Sequence, residues 1–318
     1  MTFLIISAML LVVFSDCAAD QALQEANQPD PESYNISVNV DLVVLHATVR
    51  DSNGHAASGL LQQNFEVYED GVRHPIRLFL QEDIPITVGL VVDHSGSMGR
   101  KLGQVIAAAR TFVRSSNPED QVFVVNFNEN VTLGLTGANR FTNNLDELES
   151  ALLRTPIAGK TALYDAIFHA LANLEKGSRD KKVLIVISDG GDNASTVKLR
   201  DVLRRAAESG ALLYTIGIFN EEDPDRNPGV LRRLARTTGG EAFMPGEYGN
   251  VVEICERIAR DLRAQYTIGY VPASPAKPGV YRSVRLVAGS GEHGKLTVRT
   301  RSGYIAGGAR TVPDKAVK

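Results

Sequence analysis

The sequence predicts an α/β protein in which a doubly wound, mostly parallel sheet is inserted into a small β-sandwich-like domain. Two observations predict the sheet: dense apolar runs of strand length, and helical apolar patterns that alternate with them over residues 85–264. A third observation predicts the insertion. Residues 36–84 and 265–306 carry only the period-two pattern of strands, and neither set is large enough to bury a core alone. We therefore expect one β domain built from both segments.

The overall composition is that of an ordinary globular protein. The chain has 318 residues, of which 43% are apolar and 22% are charged, enough for one large or two moderate domains. The formal net charge of −3 gives no electrostatic reason to bind nucleic acid, and we expect no nucleic-acid partner.

The N-terminus has the features of an export signal. Residues 3–14 are nearly all apolar but too few to span a bilayer, and the small residues after them suit cleavage near Ala19. We predict a signal peptide over 1–19, a flexible leader over 20–35, and a secreted, periplasmic or envelope location without a transmembrane span in the mature chain. Lipoprotein processing at Cys17 is the alternative. Once Cys17 is removed, Cys255 has no partner for an intramolecular disulfide.

The two β segments show strand and hairpin signals. The predicted strands lie near residues 36–49, 65–68, 76–80, 265–270, 281–287 and 295–300, with a hairpin turn at Asp70-Gly71 and a tail over 307–318. Residues 20–83 hold 11 acidic and 3 basic side chains, a net charge of −8, whereas 277–318 hold 2 acidic and 9 basic, a net charge of +7. Opposite charges on neighbouring strands attract, so we expect these segments to pair. The competing interpretation is a basic tail that binds an anionic envelope surface.

The inserted region follows βα order. A buried strand over 86–92 precedes a helix whose apolar face includes Val105 and Phe112. The later predicted elements are strands near 122–127, 131–135, 181–188, 211–218 and 241–244, and helices near 163–174, 197–208, 230–237 and 251–264. We interpret the acidic loop over 221–228 as a solvated connection, and a second cation site is the alternative.

Oxygen-bearing side chains follow the two densest apolar runs. Asp93, Ser95 and Ser97 alternate in the loop after strand 86–92, and Asp189 ends the run that begins at Lys181. Thr161 lies in a third loop, just before a helix. Ligands of open α/β sheets bind where such loops converge, at the carboxyl ends of the strands. Carboxylate and hydroxyl oxygens that face one point indicate a hard cation there.

The segments DHSGS, GKTALYDA and ISDGGDN, in this order, resemble the metal-ion-dependent adhesion site of von Willebrand factor type A (VWA) domains. The resemblance implies a Rossmann-like fold in which Ser95, Ser97 and Thr161 touch the metal while Asp93 and Asp189 act directly or through water. With EDGVRHPIRLFLQ before this region and QYTIGYVP after it, the chain is similar to the VWFA-related family of secreted proteins common in Acidobacteria.

The donor types define the expected chemistry. Mg²⁺ suits oxygen ligands and retained waters, with Mn²⁺ or Ca²⁺ as alternatives. If the nearest ligands are neutral hydroxyls, the cation keeps much of its charge and can accept a carboxylate from outside. We therefore predict an adhesion or envelope interaction module whose protein ligand donates an Asp or Glu side chain. The alternative is a scaffold in which the metal only stabilises the loops and partners dock on the β domain.

Enzymatic interpretations are less well supported. Gly159-Lys160-Thr161 resembles the end of a phosphate-binding loop, but Arg154 occupies the position where that motif requires glycine. Ser95 and Ser97 lack the Gly-x-Ser-x-Gly elbow of a nucleophile, and the adjacent His94 is expected to point away from them. We expect no catalytic residues.

Overall fold

A computed structural model describes residues 42–81, 83–136, 140–219, 224–245, 250–273, 277–289 and 294–306. All of these residues belong to one compact unit. The predicted signal peptide, the leader, residues 36–41 of the first predicted strand and the tail over 307–318 lie outside the described residues. Within the described ranges, no helix combines the length and the apolar character needed to cross a bilayer.

The strands and helices alternate in the middle of the chain, whereas the described residues of its two flanking parts form strands and one short 3-10 helix, Gln62–Asn64. The strands are β1 Val43–Arg50, β2 Phe65–Glu69, β3 Val72–His74, β4 Ile76–Leu80, β5 Ile86–Asp93, β6 Gln121–Phe127, β7 Val131–Leu133, β8 Lys181–Ser188, β9 Leu212–Gly217, β10 Ala242–Phe243, β11 Tyr266–Tyr270, β12 Tyr281–Ala288, β13 Thr297–Arg299 and β14 Gly303–Ile305. The helices are α1 Leu102–Arg114, α2 Leu145–Leu152, α3 Leu163–Leu174, α4 Leu199–Ser209, α5 Pro228–Thr238 and α6 Val251–Arg263.

The central sheet has the strand order β10-β9-β8-β5-β6-β7, and β7 is its one antiparallel strand among the described residues. Strands β5 and β8 lie side by side in parallel register in the middle of the sheet. Helices α1, α2 and α6 cover one face and α3, α4 and α5 cover the other, so both faces of the sheet are buried. This burial explains why the strand sequences are continuously apolar. The predicted α/β fold class is confirmed.

The flanking strands form two antiparallel sheets, β13-β1-β11-β4 and β14-β12-β2-β3. Both sheets combine strands from before and after the central region, as the insertion predicts: β1 pairs with β11, and β2 pairs with β12. The side chains that share the core between them include Leu45, Phe65, Val67, Tyr266 and Leu286. The β-sandwich-like part of the fold class is thereby confirmed, while the individual domain boundaries stay a prediction.

Three of these strands and helices were not predicted: β3, β14 and α2. Strand β3 is three residues long and follows the Asp70-Gly71 turn, where both residues have positive φ angles of 47° and 82°. Helix α2 begins after Asn144, whose side chain accepts hydrogen bonds from the backbone N–H groups of Asp146 and Glu147. This N-cap is visible in the sequence, but eight residues give only two helical turns, too few for a clear periodicity.

The charged side chains of the flanking strands pair differently from the expectation. Arg282 on β12 does reach an acidic residue on the neighbouring strand, with its Nη1 2.8 Å from Oε1 of Glu69. Arg299 on β13 instead pairs with Glu241 and Asp261, which belong to the inserted region. The basic C-terminal strands therefore compensate acids of the α/β part as well as those of the β sandwich.

Lys181 is a buried amine at the start of β8, where it holds the last turn of α6. It is 2% exposed, and its Nζ donates to the carbonyl oxygen of Leu262 at 2.6 Å. Burial lowers the pKa of Lys181 to about 7; the charges of Asp83 and Asp120 oppose this shift and that of Arg263 adds to it. The unfolded chain keeps this proton up to about pH 10, so the free energy of unfolding rises with pH above 7.

We expect a pH-dependent difference between the wild type and Lys181→Met. From about pH 7 to about pH 9, the wild type should gain about 2 kcal/mol of unfolding free energy relative to the variant, because only the wild type loses a proton from its folded state. Urea denaturation of both proteins at the two pH values measures this. An unchanged difference between them would show that Lys181 stays charged when buried.

Candidate metal centre

The predicted site residues lie at the carboxyl ends of β5 and β8. Strand β5 ends at Asp93 and β8 ends at Ser188, and the two strands run in parallel register up to Val92 and Ile187. Asp93 and Asp189 therefore leave the sheet side by side. Asp93, Ser95 and Asp189 are buried, whereas Ser97 is exposed. The two carboxylates of the site are thus buried, and the hydroxyl of Ser97 lies at the surface.

A continuous set of hydrogen bonds joins four of the five predicted residues. Ser97 Oγ donates to Asp189 Oδ2 at 2.6 Å and lies 3.2 Å from Ser95 Oγ. The backbone N–H of Ser95 donates to Asp93 Oδ1 at 2.8 Å. Ser188 Oγ donates to the other carboxylate oxygen of Asp93 at 2.7 Å. Four side chains that are up to 96 positions apart in the sequence thus meet in one group.

The backbone of Thr161 is bonded to the loop that follows Asp189 rather than to these four residues. Its carbonyl oxygen accepts hydrogen bonds from Asn193 N at 2.9 Å and Ala194 N at 3.1 Å, and its N–H donates to Asn193 Oδ1 at 2.9 Å. These bonds fasten the loop of Thr161 to the loop that follows Asp189. Thr161 is itself buried. The structure therefore brings all three predicted loops to the same edge of the sheet.

Gly159 allows the loop that holds Thr161 to turn next to the loop that holds Ser95 and Ser97. Its φ of 75° is rarely adopted by residues with a side chain, and a Cβ at this position would collide with the carboxylate of Glu129. Its carbonyl oxygen accepts a hydrogen bond from Gly96 N at 3.3 Å. A glycine is thus required where this loop turns next to the site.

The two carboxylates at the site are close enough to affect each other. Burial raises the pKa of Asp93 to about 6, a hydrogen bond from Ser95 opposes the rise, and the charge of Asp189 adds to it. A cation bound between these two buried acids would offset the repulsion between their negative charges.

The donor set fits a hard divalent ion. Every candidate ligand atom is a carboxylate or hydroxyl oxygen, which suits Mg²⁺ better than softer metals. Within the part of the chain that the structure describes, no three His, Cys, Asp or Glu side chains gather as a metal cluster. The site therefore offers two carboxylates, and hydroxyls and water would supply its remaining ligands. Asp93, Ser95, Ser97, Thr161 and Asp189 are the residues that would hold the ion.

Two polar residues beside the site were not predicted to take part. Ser188 contacts Asp93 directly, and its signal in the sequence is a hydroxyl at the end of an otherwise apolar strand run. His94 is fully buried, with Nδ1 3.1 Å from Val92 O and Nε2 2.9 Å from Leu152 O. Because both ring nitrogens face backbone carbonyls, His94 is not placed to act as a general base for Ser95.

The acidic loop proposed as an alternative cation site is only partly described. Residues 220–223 lie outside the described residues. Asp225, which is described, contacts Asn193 Nδ2 through its Oδ2 at 3.4 Å. This contact connects the acidic loop to the loop that follows Asp189.

The fold and site together define a Rossmann-like α/β domain with oxygen-bearing side chains at the carboxyl edge of its mostly parallel sheet, and we call this edge the crest. Residues 87–257, more than half of the chain, match the von Willebrand factor type A domain, and the chain belongs to this family. Its members are in general non-enzymatic modules that bind other proteins.

Two relatives illustrate the extent of the similarity. Inter-alpha-trypsin inhibitor heavy chain H2 of Mus musculus is 26% identical over 226 residues, which cover 67% of this chain but 22% of that protein. The structure described as von Willebrand factor type A from Catenulispora acidiphila matches with a TM-score of 0.51 and 15% identity, over 84% of this chain and 74% of that chain. The first similarity concerns about a fifth of a longer protein, and the second shows a shared fold.

Proposed function

We propose that this chain is an exported VWA-domain protein that binds a protein ligand through a divalent cation. The cation is held by Asp93, Ser95, Ser97, Thr161 and Asp189, and an Asp or Glu of the ligand completes its coordination. The expected cation is Mg²⁺, with Mn²⁺ or Ca²⁺ as alternatives. The expected setting is adhesion or another protein contact at the cell envelope.

One observation supports this proposal most directly. Ser97 connects Ser95 to Asp189 through short contacts and is at the same time exposed, so its hydroxyl belongs both to the buried polar group and to the surface. A cation held there would be reachable from outside. With hydroxyls rather than carboxylates on the outer side, no negative charge of the protein would lie between the ion and a ligand.

The domain arrangement supports a module that presents its site away from the β sandwich. Proposed boundaries are residues 36–84 and 265–306 for the β domain and 85–264 for the VWA domain. Strand β5 enters the central sheet from the edge opposite to Asp93, and α6 returns the chain to that same opposite edge. The sandwich therefore leaves the crest of the VWA domain uncovered by its own entry and exit segments.

The first test measures metal uptake and access to the metal. In calorimetry, chelator-treated protein should bind Mg²⁺ and Mn²⁺, and EDTA should reverse the binding. Acetate then serves as a minimal carboxylate probe, and the line width of its methyl proton resonance is measured. This resonance should broaden more with Mn²⁺-loaded wild type than with the same amount of Mn²⁺ mixed with Asp189→Asn, which is expected to leave the ion free in solution.

The two functional interpretations give different results in this experiment. The proposed function requires both metal uptake and acetate broadening. If the metal binds and raises the melting temperature while acetate shows no added broadening, the metal has a scaffold role and partners bind elsewhere. If folded protein takes up neither ion, the proposed function is wrong.

A further inference from the structure

Odd and even positions of the first metal loop, residues 93–98, have different contacts. The odd positions Asp93, Ser95 and Ser97 carry the oxygens of the candidate centre. The even positions His94 and Gly96 contact the segment 153–161, which leads from α2 to Thr161. Gly96 N donates to Gly159 O at 3.3 Å, and the carbonyl oxygen of His94 accepts from Ala158 N at 3.0 Å. We call residues 153–161 the Thr161 loop.

The His94 side chain adds a contact at the beginning of the Thr161 loop. Its Nε2 lies 2.9 Å from the carbonyl oxygen of Leu152, the last residue of α2, while Nδ1 faces the carbonyl oxygen of Val92 in the preceding strand β5. Of the two ring contacts, only the one made by Nε2 reaches another element, because Val92 belongs to the strand that leads into the first metal loop. His94 therefore holds the Thr161 loop near both ends, through its ring at Leu152 and its backbone at Ala158.

We propose that His94 is a positioning residue for the metal centre, which fixes the Thr161 loop against the first metal loop. This inference rests on the proposed function, because its effect on affinity requires a metal ion. Fixing a loop before binding removes the ordering cost that the metal would otherwise have to overcome. Hydrogen-bond partners that orient metal ligands typically affect metal affinity by roughly 10–100-fold.

Asn126 provides a matched control at the same helix end. Its Nδ2 donates to the carbonyl oxygen of Ala151 at 2.7 Å, one residue before the carbonyl that His94 contacts. Asn126 lies on β6 rather than in the first metal loop. Asn126→Ala should therefore weaken the attachment of α2 while leaving the contacts of the first metal loop intact.

Two substitutions of His94 separate its ring contacts. The side-chain amide of glutamine places a donor near the position of Nε2, whereas that of asparagine places one near Nδ1. In Mg²⁺ calorimetry we expect His94→Asn to bind about 10-fold more weakly than the wild type. His94→Gln should restore most of the affinity, and Asn126→Ala should change it less than about twofold while lowering the melting temperature.

Hydrogen exchange of the metal-free proteins gives a readout that does not depend on metal. Backbone amides of the Thr161 loop should exchange faster in His94→Asn than in the wild type, His94→Gln or Asn126→Ala. If His94→Asn does not fold, Ala158→Pro removes the amide that donates to His94 O from the exposed side of the contact, and the same acceleration is expected.

Defined outcomes would overturn the role of His94. These are equal Mg²⁺ affinity in folded His94→Asn and wild type, an equal loss in Asn126→Ala, or unchanged exchange of the Thr161 loop in all variants. A wild type that takes up no metal but shows faster loop exchange in His94→Asn would instead contradict the proposed function and leave the loop contact supported. The two failures are therefore distinguishable.

Discussion

Asp261→Ala is expected to lower the free energy of unfolding by about 3 kcal/mol, because it removes the more deeply buried of the two carboxylates that two arginines of the β sandwich share. Asp261 lies in the last turns of α6, and its side chain is 6% exposed. Its carboxylate pairs with Arg50 on β1 and lies 3.9 Å from Nη2 of Arg299 on β13. The loss falls at the lower end of the range for buried pairs because the two arginines remain 15% and 26% exposed.

A surface pair on the same helix provides the control. Glu256 lies 3.8 Å from Arg260, and the side chains of Glu256 and Arg260 are 41% and 70% exposed. Glu256→Ala should change the unfolding free energy by less than about 0.5 kcal/mol, because exposed ion pairs of this spacing contribute little. Urea denaturation of both variants measures the difference. Equal effects would mean that the α6 acids act only through helix propensity and that the contact with the sandwich is energetically neutral.

Glu241 is the second acid in a cluster of charged side chains around Asp261, and it pairs with three arginines of that cluster. It contacts Arg50 at 3.4 Å and Arg257 at 3.1 Å, and it also pairs with Arg299. The cluster joins two strands of the sandwich to β10 and α6 of the VWA domain. It lies at the edge of the central sheet opposite to the candidate metal centre, so a variant such as Asp261→Ala should reduce stability with little effect on metal affinity.

Local sequence patterns were sufficient to predict the central sheet. Strands β5 and β8 are fully covered by helices, and such burial requires continuous apolar runs that are easily recognised. The site followed from the same strands, because polar residues directly after buried parallel strands must meet at one edge. Asp93, Ser95, Ser97 and Asp189 could therefore be grouped without knowledge of the structure.

The contacts around the site depended on tertiary structure that no local pattern reveals. The role of His94 requires Leu152 as its acceptor, and Leu152 ends a helix that is too short to be recognised by periodicity. The cluster at Asp261 brings together side chains from four elements that are distant in sequence. The charge difference between the chain ends predicted that pairing would occur, but it did not identify acids of the inserted region as partners of Arg299.

Asp189→Asn is expected to reduce Mg²⁺ affinity by at least about 100-fold, beyond the effect typical of residues that only orient metal ligands. The substitution keeps the size of the side chain and an oxygen that can accept from Ser97 Oγ, but it removes one of the two negative charges of the centre. Without metal, the melting temperature should change little. The loss of a charge-assisted hydrogen bond is offset by relief of the repulsion between Asp189 and the buried Asp93.

Glu129→Gln is the control for Asp189→Asn. It tests whether Asp189 binds the metal as a specific ligand or whether the acidic side chains near the site attract cations without a defined site. Glu129 is exposed, its Oε2 accepts from Lys160 N at 3.1 Å, and its replacement removes the same unit of charge beside the Thr161 loop. Its effect on Mg²⁺ affinity should be at most a few-fold, because exposed charges act through water and are screened by salt. Calorimetry at low and high salt compares the two variants. If both variants lose the same Mg²⁺ affinity and this loss disappears at high salt, the acidic side chains attract cations without a defined site. A loss of Mg²⁺ affinity that persists at high salt and occurs only in Asp189→Asn requires a metal bound at that carboxylate.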